Sequence, residues 1–541
     1  MVTRLFQGLF LCIFCLLAGC GDAPVVEDIA DKERPEGPPL VLLGIDSLGW
    51  EMIDPLIAAG EMPNMAALAE RGVTAELSIV QPPFSPPNWT SIATGRSPEA
   101  HGVDGFFDNR LAIRVPTVFE RLSAAGLKVG LYDYLITWPP RPLPGGFMIP
   151  GWLRLDDRVE PADLAVRAGW PEGEKPFVHN VVDVGGLGPT AASIRAELKH
   201  KAGDFLRVAN AFDLDVAAVN YYGVDVASHH FFHTLEPEAF DPPIPLEPEF
   251  ENFLPQTLRE FDRVVGEMAA AVGDRGHLVI VSDHGARSDP TPVRNWGYNT
   301  ERFFELADVG EEDGFQELNS FIIISARVAP GSAEEREPAI NKLVETVSGT
   351  QTLDGRNLFD VTVRRTPADD IDAMGRALKG LDEWQREALT TNLPAYAFIF
   401  ISVRPEVVDS VWLAEGEGRM VKIGNQRLAI NELIEPHDFT GIHTERALLL
   451  AAGPAIQAVD ERQQASVLDV APLLFYLAGQ NIPDDLEGKV DTSWLAPDLL
   501  QRRPPKLVPA AEVPTLEASE AEDVGKSEEL MERLRALGYV Q

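Results

Sequence analysis

Short apolar runs alternate with amphipathic segments along much of the chain. Residues 40–45 (LVLLGI) and 278–281 (LVIV) are continuously apolar, which indicates strands buried on both faces. The segment before the second run carries apolar residues at 258, 261, 265, 268 and 272, a spacing that places them on one face of a helix. The alternation predicts an α/β fold with a mostly parallel sheet covered on both sides.

Other segments interrupt this alternation. Residues 236–255 are rich in proline and acidic residues and predict a loop. Residues 319–404 contain two apolar runs with a helix-like segment between them, and we predict an inserted α+β subdomain there. The predicted organisation is a core formed by 40–318 and 405–496, followed by a linker (497–526) and a terminal helix (527–541). Glycines at 72 and 126 are predicted to end helices at 65–71 and 116–125.

The amino terminus has the features of a targeting signal. Arg4 precedes an apolar run at 5–17 that is too short for a transmembrane helix and leads into Leu-Ala-Gly-Cys. This stretch resembles a bacterial lipoprotein signal, which implies cleavage before Cys20 and acylation of that residue. A flexible tether at 21–39 would follow. We therefore expect a protein anchored by lipid to the bacterial cell envelope, on a periplasmic or extracellular face. An ordinary secretory signal is the alternative.

Charge and cysteine content exclude some classes of function. The formal net charge is −38, which argues against binding to a nucleic-acid scaffold, because phosphate backbones recruit Lys and Arg. It does not exclude a small phosphate substrate, since bound divalent cations reverse the local field. The three cysteines are Cys12, Cys15 and Cys20. A chain cleaved before Cys20 would have no disulfide and no thiol nucleophile.

Carboxylate and imidazole side chains stand in short clusters where the chain leaves apolar runs. The clusters contain Asp46 in GIDSLGW, Asp225 and His229 in VDVASHH, and Asp283 and His284 in VSDHG; His443 in GIHTERALLLAAGP completes the set. In an open α/β sheet the carboxyl ends of the strands gather the active site, so we expect these groups to meet. Such ligands suit Zn²⁺. The pattern predicts a two-metal hydrolytic site.

These motifs, together with SPPNWTSIATGRSPEAHGV and LDVAPLLFYLAG, resemble the type I phosphodiesterase/nucleotide pyrophosphatase family of the alkaline phosphatase superfamily. The resemblance runs from about residue 40 to about residue 490. It implies a three-layer α/β/α, alkaline-phosphatase-like core and two divalent metal ions, taken as Zn²⁺. Asp46, Asp283 and His284 are implied to bind one metal. The implied ligands of the other are Asp225, His229 and His443.

The same resemblance implies a nucleophile nine residues before a Thr-Gly pair, and counting back from Thr94 leads to Ser85. Because Pro86 and Pro87 follow, we predict Ser85 as the N-cap of a helix, where negative charge is favoured. The implied reaction is hydrolysis of a phosphate ester, as phosphodiesterase or phosphomonoesterase, through a phosphoseryl intermediate. A structural role limited to capping the helix is the alternative for Ser85.

One position departs from the family pattern. Nucleotide-cleaving relatives place an Asn where this chain has Phe106, which puts nucleotide specificity in doubt. We predict structural roles for Asn88 and His101. Two alternatives to ester hydrolysis stay open: a phosphonate hydrolase or phospho-group transferase of the same superfamily, and a catalytically silent envelope lipoprotein. The sequence does not identify substrate-binding residues.

Overall fold

The computed structural model describes residues 39–106, 108–154, 156–171, 173–176, 187–240, 244, 248–289, 295–317, 324–329, 331–365, 396–412, 414, 416–437, 440–511 and 513. The predicted signal peptide (1–20, with Cys20), the tether up to residue 38 and the terminal helix (527–541) lie outside these residues.

The strands are Leu40–Ile45 (β1), Val73–Ser78 (β2), Val129–Tyr134 (β3), Phe147–Pro150 (β4), Val216–Tyr221 (β5), His277–Val281 (β6), Gly285–Ser288 (β7), Asn295–Tyr298 (β8), Phe315–Glu317 (β9), Ile324–Val328 (β10), Gln351–Thr352 (β11), Phe359–Arg365 (β12), Ala397–Val403 (β13), Met420–Ile423 (β14), Gln426–Ala429 (β15), Ile434–His437 (β16), Gly441–Thr444 (β17), Arg446–Ala452 (β18), Gln463–Ser466 (β19), Ile482–Pro483 (β20) and Leu507–Val508 (β21). The α-helices are Trp50–Ala58 (α1), Pro63–Glu70 (α2), Ser85–Thr94 (α3), Pro98–His101 (α4), Val118–Ala124 (α5), Leu164–Arg167 (α6), Leu187–Phe212 (α7), Gly223–Phe231 (α8), Phe253–Val272 (α9), Thr300–Ala307 (α10), Ala333–Ser348 (α11), Pro405–Trp412 (α12), Val470–Leu477 (α13) and Pro497–Arg502 (α14).

The main sheet has eight strands in the order β19-β2-β18-β6-β1-β5-β3-β4. Strands β6, β1, β5, β3 and β4 pair in parallel, and β19 pairs in parallel with β2. Only β18 runs in the opposite direction, antiparallel to both β2 and β6. The predicted mostly parallel sheet is therefore confirmed, with one reversed strand in its interior.

Helices cover both faces of this sheet. Every residue of β1, β3 and β5 is buried, which requires an apolar layer on each side. In one group of helices, α7, α8 and α9 contact one another and α2 contacts α9; in the other, α3, α5 and α13 contact one another. The two groups and the sheet between them form the predicted three-layer α/β/α core.

A second hydrophobic core lies in the part of the chain predicted as an insertion. Its four-stranded sheet has the order β12-β13-β10-β9, and α11 packs against β12. This core also contains Phe303 before residue 319 and Leu428 and Ile434 after residue 404. The cluster of buried side chains is thus wider than the predicted segment 319–404. A smaller sheet, β11-β14-β15, accompanies it.

The chain after residue 496 differs from the sequence-based expectation of a linker. Residues 497–502 form α14, and β21 pairs in parallel with β20. Pro497 starts the helix at a position where its missing N–H costs no hydrogen bond. In the part of the chain that the structure describes, no helix has the length and apolarity needed to cross a membrane.

Candidate active site

Asp46 follows the last residue of β1 and is 2% exposed. The next residue, Ser47, has a φ of 64°, a left-handed conformation that costs energy in a residue with a Cβ. The turn allows the backbone N–H of Ser47 to donate to Oδ1 of Asp283 at 3.3 Å. Strain of this kind concentrates at functional sites. The hydrogen bond from Ser47 to Asp283 ties the end of β1 to the end of the neighbouring strand β6.

Ser85 is the first residue of α3, and Phe84 is the N-cap. The prediction that Ser85 itself caps the helix is therefore wrong by one position. Its hydroxyl is buried and donates to Oδ1 of Asp46 at 3.3 Å, and it lies 3.3 Å from Nε2 of His284. The hydroxyl thus points into the cluster of acidic and imidazole groups.

Asp225 and His229 share one face of α8, the helix that follows β5. Their four-residue spacing brings His229 Nε2 within 3.4 Å of Asp225 Oδ1. Nε2 of His443 lies 3.1 Å from the same carboxylate oxygen and 2.9 Å from Nε2 of His229. The three residues predicted to share one metal therefore meet.

Asp283 and His284 follow β6 after one residue, Ser282. His284 Nε2 lies 3.3 Å from Asp283 Oδ2 and 3.4 Å from Asp46 Oδ1. The chain then continues into β7, which pairs with β17 and sets His443 opposite Ala286. As a result, the rings of His284 and His443 stack with their centroids 3.8 Å apart. The two predicted ligand groups are in contact through these rings.

The three histidines have the same orientation. Each Nδ1 faces a backbone carbonyl oxygen: Gly441 for His229 at 3.3 Å, Gly285 for His284 at 3.3 Å, and Pro83 for His443 at 2.8 Å. A carbonyl oxygen only accepts, so each Nδ1 must carry the proton and donate it. With Nδ1 used in this way, Nε2 is the atom of each ring that faces the carboxylates. This is the ring orientation that metal-bound histidines adopt.

The donor set fits divalent cations. Asp46, Asp283 and His284 offer ligand atoms within 4.8 Å of one another, and so do Asp225, His284 and His443. Oδ2 of Asp283 is buried and accepts no hydrogen bond from any described residue. A buried carboxylate oxygen without a hydrogen bond is costly unless a cation faces it. Carboxylate and imidazole ligands of this kind are those that Zn²⁺ binds.

The charge balance of the cluster also favours a cation. Burial, followed by the charges of Asp283 and Asp225, raises the pKa of Asp46 well above its usual value. Burial and then Asp225 likewise raise the pKa of Asp283. Burial acts against charge at Asp225 and His229 too, but their mutual attraction lowers the pKa of Asp225 and raises that of His229. Three buried carboxylates so close together concentrate negative charge, which a bound cation would stabilise.

Neighbouring polar residues have structural partners. Asn88 accepts from the backbone N–H of Val80 at 2.9 Å and donates to the carbonyl of Phe84 at 2.9 Å, which holds the loop before α3. His101 is buried and bonds to Ser91 and to the N–H of Val103. The predicted structural roles of Asn88 and His101 agree with these contacts.

Sequence reasoning missed two features of the site. Trp89, four residues after Ser85, donates from Nε1 to Asp46 Oδ2 at 3.1 Å. Its helical spacing from Ser85 was the available signal. The ring of Phe106 lies between Phe84 and Trp152, with centroids 5.8 Å and 6.2 Å away. Phe106, which stands where the sequence comparison expects Asn, therefore belongs to an aromatic cluster beside the start of α3.

Comparison with known proteins identifies the family. The family model described as type I phosphodiesterase / nucleotide pyrophosphatase matches residues 40–370. The chain belongs to this family. By class it is a phosphoric ester hydrolase.

Solved structures with similarity to the chain include two proteins of different kinds. Murine ectonucleotide pyrophosphatase / phosphodiesterase 5 is 12% identical with a TM-score of 0.38, covering 85% of this chain and 100% of that one. Phosphonoacetate hydrolase from Sinorhizobium meliloti 1021, in complex with phosphonoacetate, is 17% identical with a TM-score of 0.39, covering 82% and 96%.

Proposed function

We propose that the chain is a two-metal hydrolase of phosphate esters with Ser85 as its nucleophile. Asp46, Asp283 and His284 would bind one cation, and Asp225, His229 and His443 the other. The observation that supports this most directly is the convergence of three imidazole Nε2 atoms, each oriented by an Nδ1–carbonyl bond, on three buried carboxylates. Bound cations would lower the pKa of a coordinated hydroxyl and stabilise the departing oxygen.

The helix start beside Ser85 supports a role for cations there. A helix amino terminus usually binds phosphate through its first free N–H groups. In α3 the second and third residues are Pro86 and Pro87, and proline has no N–H to donate. The helix dipole still favours negative charge, but most of the phosphate charge must be met by other groups.

The residues then carry out two displacements. The oxygen of Ser85 loses its proton and forms a bond to phosphorus while the bond from phosphorus to the alcohol oxygen breaks. The departing oxygen takes up a proton and leaves as the alcohol. Water next attacks phosphorus and the bond to Ser85 Oγ breaks, which releases phosphate or a phosphomonoester and restores the serine. Trp89 holds the carboxylate of Asp46 in place by its N–H bond during both steps.

Chelation and substitution of the nucleophile test the proposal together. We expect a chelator to abolish hydrolysis of an aryl phosphate ester and added Zn²⁺ to restore it. Ser85→Ala should lower kcat by roughly 10³-fold or more, as loss of a nucleophile does, while its metal content stays at the wild-type level. A Ser85→Ala variant that retains wild-type kcat would rule out the assigned nucleophile. Stoichiometric metal with no turnover across a panel of esters would support the catalytically silent alternative.

For the substrate we propose esters other than nucleotides, because Phe106 brings an apolar ring to the position of a polar contact in nucleotide-cleaving relatives. A paired aryl monoester and aryl diester, with a nucleotide diester and an aryl phosphonate beside them, rank the substrate classes by kcat/KM. We expect the nucleotide diester to be the poorer of the two diesters. A clear preference for it contradicts this part of the proposal, and a preference for the phosphonate favours the phosphonate hydrolase alternative.

We also propose that the protein is anchored by lipid to the bacterial cell envelope. The support is the sequence alone: an apolar run of 5–17 followed by Leu-Ala-Gly-Cys. Expressed in bacteria, the wild type should be recovered with membranes and be labelled by radioactive fatty acid, whereas Cys20→Ala should lose the label. Equal labelling of both proteins would contradict acylation at Cys20.

A further inference from the structure

Glu197 and Lys201 are two charged side chains of α7 that are completely buried. Lys201 Nζ lies 2.5 Å from Glu197 Oε1 and 2.6 Å from Asp133 Oδ2. Asp133, also fully buried, is in β3 and has a φ of 55°. A buried ion-pair cluster adds little stability over an apolar packing of the same volume. Its role must therefore be sought in what it holds in position.

The cluster holds the start of α8. The carboxylate of Glu197 accepts hydrogen bonds from the backbone N–H groups of Tyr222 at 3.1 Å and Gly223 at 2.6 Å. Tyr222 is the N-cap of α8 and makes no side-chain cap bond. A carboxylate at this place satisfies N–H groups that the helix leaves open and complements the helix dipole. Glu197 of one helix thus caps another.

The same cluster fixes α8 to the sheet. Lys201 Nζ donates to the carbonyl of Asn220 in β5 at 2.8 Å, and Tyr222 donates from its hydroxyl to the carbonyl of Asp133 at 2.5 Å. A Cβ at Gly223 would lie 2.6 Å from Oε2 of Glu197. Glycine at 223 is therefore what allows the carboxylate to come so close. The start of α8 is held against the carboxyl ends of β3 and β5.

We propose that Glu197, supported by Lys201, is a positioning residue that sets the geometry of the metal site of Asp225 and His229. Asp225 lies only two residues after Gly223, in the first turn of α8, and His229 follows one turn later. A shift of the helix start moves both ligands relative to His443. The inference rests on the proposed function, since it needs metal binding by these residues. Partners that orient metal ligands typically contribute 10–100-fold in affinity.

The test is Zn²⁺ affinity, measured by competition with a chelator on the purified protein. We expect the wild type to bind two ions and Glu197→Gln to bind one of them about tenfold more weakly, with the other unchanged. The reduced kcat of this variant should recover at saturating Zn²⁺, which a general loss of structure would not allow. Glu260→Gln is the matched control, because Glu260 is an exposed carboxylate on α9; its two affinities should equal those of the wild type.

Gly223→Ala supplies a second variant that keeps every charge. Alanine favours helix by up to about 1 kcal/mol over glycine, so weaker Zn²⁺ binding would come from crowding by the new methyl group. Its nearest contacts would be Glu197 Oε2 at 2.6 Å and Ile194 Cγ2 at 3.2 Å. We expect Gly223→Ala to lose about tenfold in Zn²⁺ affinity at the same site. If Glu197→Gln does not fold, Gly223→Ala tests the positioning role on its own. Wild-type affinities in a folded variant overturn the positioning role alone. Absence of Zn²⁺ binding in the wild type overturns the proposed function and this inference with it.

Discussion

At the scale of single residues, the site depends on atoms that orient its ligands. Each histidine is held by a backbone carbonyl, and Asp46 is held by Trp89. These partners carry no reactive group, yet they decide which atom of each ligand faces the substrate. The serine, the carboxylates and the imidazoles are visible in the sequence. Their orientation depends on carbonyl groups that every residue has.

Trp89→Phe is the residue-scale prediction. The change removes the N–H that reaches Asp46 Oδ2 and keeps an aromatic ring in the same place. Because hydrogen bonds to charged groups contribute about 1.5–3 kcal/mol, we expect kcat/KM to fall by roughly tenfold or more. Trp138→Phe is the control, since Trp138 is equally buried and donates to Asp156 at the same 3.1 Å. Its kcat/KM should stay within about twofold; equal losses in both variants would contradict a specific role of Trp89.

At the scale of elements, the glycines that follow two helices are required for different reasons. The sequence predicts that Gly72 and Gly126 both end helices. Gly126 has a φ of 96°, which glycine adopts without strain. Gly72 is not among the glycines with positive φ; a Cβ there would lie 2.3 Å from the backbone oxygen of Ala451 in β18. Gly72 is thus needed for the close approach of two chain segments.

These different reasons predict that replacement by alanine destabilises the protein to different extents at the two positions. Gly126→Ala should lower the free energy of unfolding by about 1 kcal/mol, since the strain of a positive φ is its main effect and the space around it is open. Gly72→Ala should cost about 2–3 kcal/mol, because backbone atoms must move to admit the methyl group. Chemical denaturation measures both. Equal costs would contradict the assignment of Gly72 to close packing.

At the scale of the whole molecule, neutral histidines that are buried (His101) or partly buried (His277) link stability to pH. Burial, with a smaller effect of Arg503, lowers the pKa of His277 to about 4. Its Nε2 accepts the N–H of Ala455 at 3.0 Å, so that atom must be unprotonated. Burial likewise lowers the pKa of His101 to about 4. Both residues lie outside the proposed set of metal ligands.

The sign of the pH effect follows from these directions. The unfolded chain protonates histidine near pH 6.5, whereas the folded chain resists until about pH 4. The unfolded state therefore binds more protons between these values, and stability falls as the pH drops from about 6.5 to 4. His277→Gln should remove a contribution on the order of 3 kcal/mol from this decrease. Chemical denaturation at pH 6.5 and pH 4 measures this contribution. His200→Gln, a change at an exposed histidine, is the control. An unchanged pH dependence of stability in His277→Gln would contradict the role assigned to His277.

Several features could be predicted from local sequence because they depend on local periodicity. The apolar runs predict β1 and β6, and the four-residue spacing of Asp225 and His229 predicts their shared helical face. The predicted N-cap at Ser85 was wrong because Pro86 and Pro87 are compatible with either of two adjacent helix starts. The width of the second core was also underestimated, since Phe303 and Ile434 join it through tertiary packing.

The sequence by itself determined which side chains can bind cations and which apolar runs form strands, because residue type and periodicity are local properties. Only the tertiary structure decided how His443 reaches the other ligands. His443 lies in β17, just before the main-sheet strand β18, whereas the other ligands follow strands of the main sheet. A parallel β18 would therefore place His443 at the opposite edge of that sheet. Because β18 runs antiparallel to β6, its first residues lie beside the last residues of β6. Strand direction is set by pairing between distant segments, and no local pattern specifies it.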